Sequence, residues 1–194
     1  SHIRERILNA ARHYFAKYGY TASSLGRVAS TVGVTKPMVH YYFGNKEGLY
    51  RAALESAYQD LKPRLEAAAS CKGDCRQKLL ALAQAHQKLL QEAPETIRLA
   101  LQPCTAEPSD ASMSIEPHIF RELYVSIAHR ILTEARARGQ VRNIHPEVLA
   151  RLLWASMAES YDLEPPRSVS PKTFAEEVVD VIWNGIAASP DSDQ

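Results

Sequence analysis

The 194-residue sequence predicts an all-α protein of about nine helices, on the strength of three observations. Apolar residues recur at the three- and four-residue spacing of an amphipathic helix, beginning with Ile7, Ala11 and Phe15. No segment alternates apolar and polar residues with the period of two that a half-buried strand shows. The stretch from Ser24 to Phe43 carries the caps and the tight turn of two short consecutive helices.

Breaker residues predict where the remaining helices begin and end. The first helix is predicted to end near Tyr18, because Gly19 follows its apolar stripe. Asn45 is predicted to cap a long helix, which we expect Pro63 to kink or end near Asp60, because proline has no amide hydrogen to donate. The later helices are predicted at residues 79–92, 94–101, 120–138, 145–161 and 171–188, with a loop at 104–116.

Residues 24–43 are predicted to form a helix–turn–helix. Gly33 suits the turn because it lacks a Cβ and adopts positive φ without strain. Thr35 is a suitable N-cap for the second helix, and Pro37 is tolerated in its first turn. In a helix–turn–helix protein the second helix enters the major groove of DNA. The alternative is a helical corner within an ordinary core, which the same turn and caps would produce.

Charge is divided unevenly along the chain. The formal net charge is +1, yet residues 1–51 contain eight Lys and Arg against two Glu, a net +6, which leaves −5 for the remainder. A basic head on an acidic body is typical of a protein that binds a polyanion. We therefore predict a DNA-binding domain at residues 1–50 and a larger helical domain at residues 51–194.

Several classes of protein are disfavoured by the sequence. There is no apolar run of membrane-spanning length, no signal-peptide pattern and an odd number of cysteines, three, so we expect a cytoplasmic protein. No phosphate-binding glycine loop, nucleophile elbow or zinc-protease motif occurs, so we expect neither catalysis nor a cofactor. Cys71 and Cys75 flank a turn without the further ligands that a metal site needs, and Cys104 adds no stronger signal.

The last two predicted helices are apolar on more than one face. A terminal helix wetted on one side would not need this pattern, so we expect a second copy of the chain to pack there in a four-helix bundle. The alternative is that both helices lie within the core of a single chain. The predicted interface residues are Leu149, Leu153, Trp154, Val178, Ile182 and Ile186.

A spaced set of N-terminal residues resembles a known family, the tetracycline-repressor (TetR) family of bacterial regulators. The matching residues, within positions 3–50, are Phe15, Gly19, Val28-Ala29, Gly33-Val34-Thr35, Val39-His40-Tyr41-Tyr42-Phe43 and Lys46-Glu47-Gly48-Leu49. The resemblance implies a homodimeric, ligand-responsive repressor. Such a protein binds a palindromic operator through its N-terminal domain and is released by a small-molecule effector held in its C-terminal domain.

The resemblance also implies which residues contact DNA. They are Ser24 and Arg27, which approach the DNA backbone from the preceding helix, then Thr35, Lys36, Pro37, His40, Tyr41, Tyr42 and Lys46. Lys36 and Pro37 look like the base-edge readers, with Lys36 suited to guanine O6 or N7. Tyr42 and Lys46 resemble the phosphate contacts of the family. His40 stands where the family most often has Tyr, so we expect this protein to differ from its relatives there.

Candidates for the effector cavity carry a weaker signal. They are Tyr58, His86, Arg98, Phe120, Tyr124 and Met157. Aromatic and Met residues at helical spacing also serve as plain core, His86 could be a hydrogen-bonded core histidine, and Arg98 could be solvated. The alternative for the whole protein is a helical ligand-binding or enzymatic domain without a DNA role, and the sequence does not separate a repressor from an activator.

Overall fold

The computed structural model describes residues 2–101, 119–158 and 169–186, in which nine α-helices form and no strand occurs. They are α1 His2–Ala22, α2 Leu25–Val32, α3 Lys36–Phe43, α4 Lys46–Ala69, α5 Cys75–Glu92, α6 Pro94–Leu101, α7 Ile119–Ala137, α8 Pro146–Ala158 and α9 Pro171–Ile186. The all-α prediction is confirmed. The predicted loop at 104–116 and the predicted ends of the last two helices, after residues 158 and 186, lie outside the described residues.

Packing divides the chain into two compact units. The first unit comprises residues 1–61 and 93–120, and the second comprises residues 62–92 and 121–194. The division passes through α4 and α7. A functional boundary at residue 50 remains a prediction.

The core of the first unit is built on the apolar stripe of α1. Ile7, Ala11 and Phe15 are all buried, and α1 packs against α2 and α6 while α2 packs against α3. The ring of Phe15 meets that of Tyr50 nearly edge to face, with 4.9 Å between centroids. Val39 contributes the buried side of α3. This core, which includes the start of α4, thus holds α2 and α3 in place.

Gly19 breaks α1 as its position predicts. Its φ of 74° and ψ of 175° are not helical, and one further turn follows up to Ala22. The hydroxyl of Ser23 lies within hydrogen-bond distance of the carbonyls of Tyr14, at 3.1 Å, and Gly19, at 2.7 Å. The hydroxyl carries one hydrogen, so it donates to one of these carbonyls at a time and ties the residue after α1 to the segment around the break.

Of the two effects predicted for Pro63, an end of α4 near Asp60 is wrong, and a kink there remains a prediction. The helix runs on to Ala69, with Pro63 inside it. Pro63 is exposed, whereas Leu61 and Leu65 on either side of it are buried. Proline in a helix interior costs about 3 kcal/mol. Burying two leucines, at about 1.5–3 kcal/mol each, offsets that cost and keeps the segment helical.

The second unit is held by α9, which packs against α5 and α8. Its buried side includes Ala175 and Val179, and Leu82 of α5 is also buried. An ion pair between Arg76 of α5 and Asp180 of α9 adds a polar contact at the edge of this packing. None of the helices described is both long and apolar enough to cross a lipid bilayer.

Candidate nucleic-acid interface

The turn between α2 and α3 is set by local hydrogen bonds that the sequence signals. Ser24 is the N-cap of α2, and its side chain accepts from the amide of Arg27 at 3.3 Å. Gly33 ends α2 with φ 69° and ψ 33°, in the left-handed region. The amide of Gly33 donates to the carbonyl of Ser30, and that of Val34 donates to the carbonyl of Ala29. These two bonds define a Schellman motif, which directs the chain out of α2 at a fixed angle.

Thr35 occupies the N-cap position of α3, but not in the way the sequence predicts. Its backbone is extended and its side chain makes no capping hydrogen bond. Pro37 lies in the first turn of α3, where the missing amide hydrogen has no helical partner in any case. The hydroxyl of the exposed Thr35 is therefore not used to start the helix.

The outer face of α3 presents polar and aromatic side chains to solvent. Lys36, Pro37, His40 and Tyr41 are exposed, and Tyr41 is 83% accessible. Tyr42 is half-buried, with its ring centroid 5.2 Å from that of Tyr41. Among the described residues, the ammonium of Lys36 takes part in no ion pair or hydrogen bond. The face combines a cation, hydroxyl groups and an imidazole, all of which can bind to DNA.

A tight connector links α3 to α4. Gly44 has φ 75° and ψ −73°, and the amide of Asn45 donates to the carbonyl of Phe43 at 2.9 Å, which makes a γ-turn. The carbonyl of Gly44 accepts a hydrogen bond from Nδ1 of His40 at 2.6 Å. Asn45 caps α4, because its side-chain oxygen accepts from the amide of Gly48 at 2.8 Å.

Lys46 is bonded within the first unit. Its ammonium donates to the carbonyl of Thr21 at 3.0 Å and lies 4.6 Å from the ring centroid of Tyr20. Desolvation lowers the pKa of Lys46. The side chain therefore ties the start of α4 to the segment that follows the break in α1. An ammonium has three donors, so two remain for an anion.

The basic charge of the head is only partly available to a ligand. Besides Lys46, three arginines are bonded internally: Arg6 with the carbonyl of Val32, Arg12 with Asp60, and Arg51 with Glu47. Arg27 and Lys36 are exposed, and their charged groups have no such partner among the described residues. Arg27 is on α2 and Lys36 begins α3, so part of the available charge lies on the helix–turn–helix itself; Arg4 and Lys17 of α1 are also exposed and contact the rings of Phe43 and Tyr18.

A cleft of about 670 Å³ lies beside Ser24 and Arg27. It is lined by Tyr14 and Tyr18 of α1 together with Ser24, Gly26, Arg27, Ser30 and Thr31. The hydroxyls of Tyr14 and Thr31 lie 3.0 Å apart and link the two helices. Tyr14 and Tyr18 are not among the residues predicted from the sequence to contact DNA, although their four-residue spacing places both on one face of α1.

Three of the predicted effector residues lie in the second unit. His86 and Tyr124 are fully buried, with their rings 5.2 Å apart at 87°, and both lie within 6 Å of the ring of Trp154. Burial lowers the pKa of His86 to about 3 and raises that of the Tyr124 hydroxyl. That hydroxyl has no hydrogen-bond partner among the described residues. Met157 is also buried.

The other three predicted effector residues lie in the first unit. Tyr58 is half-buried on α4, Arg98 is exposed on α6, and Phe120 is buried at the start of α7. Only the second-unit cluster combines buried aromatic surface with a polar atom that lacks a partner among the described residues.

The structure places half of the predicted dimer residues where no partner can reach them. Leu149, Leu153 and Ile186 are buried within the single chain, while Trp154, Val178 and Ile182 are half-buried. The accessible apolar residues of α8 and α9 are Val148, Leu152 and Val181, which are 58%, 50% and 75% exposed. The prediction that Leu149, Leu153 and Ile186 contact a second copy of the chain is therefore wrong.

Of the three cysteines, the structure describes Cys71 and Cys75. Cys75 is buried, and burial raises the pKa of its thiol to about 11, so the thiolate that binds metals is disfavoured. No group of three or more potential metal ligands lies among the residues that the structure describes. Cys104 lies outside them.

Residues 7–53 match the model of bacterial regulatory proteins of the tetR family. Relatives include the uncharacterized HTH-type transcriptional regulator YvaF of Bacillus subtilis, which is 23% identical over 97% of this chain and 98% of its own length. The HTH-type transcriptional repressor AcnR of Corynebacterium jeikeium is 38% identical, but the match spans 32% of this chain and 32% of that protein.

Solved structures share the fold over nearly the whole chain. The SmeT–triclosan complex has a TM-score of 0.75 at 21% identity and covers 98% of this chain and 94% of that one. AibR in complex with isovaleryl coenzyme A and operator DNA has a TM-score of 0.75 at 18% identity, covering 93% and 98%.

Proposed function

This chain belongs to the tetR family of bacterial regulatory proteins, and on that premise we propose that it is a ligand-responsive transcriptional repressor. It binds a palindromic operator as a homodimer and is released by a small-molecule effector. The observation that carries this proposal is the outer face of α3, where Lys36 offers an unengaged cation beside exposed His40 and Tyr41. We expect the protein to act in the cytoplasm, where the operator is accessible, and not to be an enzyme.

We assign the reading of bases to the residues at the start of α3. The ammonium of Lys36 can donate to guanine O6 or N7, which are the acceptors of the major groove. Pro37 and Tyr41 add apolar surface for a thymine methyl group. Thr35 contributes a hydroxyl that is not used as a cap. Lys36, Pro37 and Tyr41 lie on the exposed side of an eight-residue helix that Thr35 directly precedes, and this helix is short enough to lie within a single groove.

We assign phosphate binding to residues of α2 and of the start of α4. Ser24 and Arg27 line the cleft beside α1, where the first amides of α2 favour an anion. The hydroxyl of Tyr42 and the two remaining donors of Lys46 extend the same surface. Phosphate contacts fix the register of the protein on DNA without reading sequence.

Dimerisation is assigned to the accessible apolar side of α8 and α9. Val148, Leu152 and Val181 are exposed large aliphatic residues, which a second copy would remove from water. Val178 and Ile182, which are half-buried, are kept from the interface predicted from the sequence. Val148, Leu152 and Val181 take the place of its buried members. Two recognition helices about 34 Å apart would then read half-sites one turn of DNA apart.

The effector is assigned to the second unit, at the cluster of His86, Tyr124 and Trp154. SmeT and AibR are described in complex with small molecules, triclosan and isovaleryl coenzyme A respectively. In this chain the hydroxyl of Tyr124 is a buried polar group that a ligand could satisfy. An effector releases DNA only if it binds the DNA-incompetent state more tightly.

The proposal is tested by selecting bound duplexes from a random pool and by titrating the selected operator. Wild-type protein should select a palindrome with two related half-sites. Combining Lys36→Ala with Tyr42→Phe should abolish retardation of that operator, because it removes an ammonium and a hydroxyl while keeping the Tyr42 ring. Lys72→Ala removes an exposed charge in the second unit and serves as the matched control. Unchanged binding by the double variant, or selection of random DNA without preference, would contradict the proposal.

A further inference from the structure

We propose that His40 is a specificity-determining residue that accepts a hydrogen bond from the exocyclic amino group of an adenine or a cytosine. This inference rests on the proposed function, because it assigns a base to one position of the operator that α3 reads. It follows from the bond between His40 and the connector after α3, rather than from exposure alone.

The hydrogen bond to Gly44 fixes which nitrogen of His40 carries the proton. Nδ1 lies 2.6 Å from the carbonyl oxygen of Gly44, and a carbonyl can only accept. Nδ1 is therefore the protonated nitrogen of the neutral ring. Nε2 then has a lone pair and no hydrogen, so the ring nitrogen that is not bonded to Gly44 is an acceptor.

The backbone holds the accepting carbonyl in place. Gly44 adopts φ 75° and ψ −73°, and the bond from the amide of Asn45 to the carbonyl of Phe43 closes the γ-turn around it. The amide of Gly44 donates to the carbonyl of His40 at 2.8 Å, so residues 40 and 44 are joined by two hydrogen bonds. Both the ring and its anchor are thus positioned before DNA binds.

An acceptor at this position discriminates among the groups that DNA presents. Phosphate oxygens and guanine O6 and N7 are themselves acceptors, and they offer no hydrogen to Nε2. The donors in the major groove are the N6 amino group of adenine and the N4 amino group of cytosine. With Nδ1 held by Gly44 and Nε2 as an acceptor, His40 therefore favours a base over a phosphate, and adenine or cytosine over guanine.

The position of His40 on α3 is compatible with base contact. It lies one helical turn beyond Lys36 on the same exposed face, and Val39, buried on an adjacent side of the helix, anchors α3 to the core. Lys36 donates hydrogen bonds and His40 accepts them, so the two residues require different bases. The operator half-site should contain a guanine read by Lys36 and, further along the groove, an adenine or a cytosine read by His40.

The test compares the sequences selected from a random duplex pool by wild-type protein, His40→Phe and His40→Arg. Selection is carried out at about pH 8, above the range in which imidazole ordinarily takes up a proton. His40→Phe removes both nitrogens and keeps a planar ring, whereas His40→Arg replaces the acceptor with donors that suit guanine. Both changes are at an exposed residue, and circular dichroism confirms the fold of each variant.

We expect His40→Phe to lose the preference for adenine or cytosine at one pair of symmetric positions, with other positions unchanged. His40→Arg should select guanine there, and titration should show at least about a fivefold change in relative affinity for the two operators. An equal loss at all positions, or no change in either variant, would overturn the assignment of His40. Failure of wild-type protein to select any sequence would instead refute the proposed function, and with it this inference.

Discussion

Acidification should weaken the fold through His86. The side chain is fully buried beside Tyr124 and Trp154, and burial lowers its pKa from 6.5 to about 3. Below about pH 6.5 the unfolded chain binds a proton at this residue, whereas the folded chain does not until the pH approaches 3. The unfolded state therefore holds more protons within this window, and stability falls as the pH falls.

The size of the effect follows from the two pKa values. Between about pH 7.5 and about pH 5, the shift removes about 2 kcal/mol of the free energy of unfolding. The loss is complete near pH 3, and above about pH 6.5 the stabilisation is fully present. A change of this size is readily measured in a protein of ordinary stability.

The measurement is urea unfolding of wild-type protein and of His86→Phe at both pH values, at one protein concentration. The variant keeps a ring of similar shape but cannot titrate. Every other titrating group contributes to both proteins, so the difference between their pH dependences isolates His86. We expect wild-type protein to lose about 2 kcal/mol more than the variant on acidification. Equal losses would refute the view that His86 is held neutral by burial.

Three further changes test other parts of the structure. Gly48→Ala should cost about 2 kcal/mol or more in urea unfolding, because the new Cβ would lie 2.1 Å from the carbonyl oxygen of Phe43. Gly26→Ala is the matched control, with no atom within 4 Å, and should gain about 0.5–1 kcal/mol. Tyr124→Phe should leave the melting temperature unchanged or raised, because it removes a buried hydroxyl without a hydrogen-bond partner among the described residues. Val181→Asp should shift the protein from dimer to monomer in sedimentation while its helix content is retained, and a persistent dimer would exclude this face.

The helix–turn–helix was predictable because its signals act over three or four residues. Ser24 caps α2, Gly33 takes the left-handed conformation, and Pro37 lies in a first turn, and each follows from the residue type and its immediate neighbours. The all-α fold was predictable for a similar reason, since the period of the apolar residues is a local property.

Longer-range features were not predictable from the sequence. Pro63 stays within α4 because Leu61 and Leu65 are buried, and their burial depends on the rest of the fold. Helices α8 and α9 carry apolar residues on several faces, so the sequence alone does not show which of these residues the chain's own core covers and which, such as Val148, stay accessible. A step of one residue turns a helix by about 100°, which is enough to exchange a core residue for a surface one.

Polar partners in the candidate interface were hidden in the same way. Lys46 bonds to a carbonyl 25 residues earlier in the chain, that of Thr21, and no spacing rule indicates such a contact. The bond from His40 to Gly44 is local, but it depends on the ψ angle of Gly44, which the residue type does not determine.

Divergence of the operator specificity would be coupled between residues 40 and 44. Any side chain at position 44 would disfavour φ 75°, by roughly 1–2 kcal/mol, and would move the carbonyl that orients the imidazole. Natural variants that keep His40 should therefore keep Gly44, although residue 44 is not among the proposed DNA contacts. Conversely, a lineage that replaces His40 loses this reason to keep glycine at position 44, and its connector becomes free to adopt an ordinary turn.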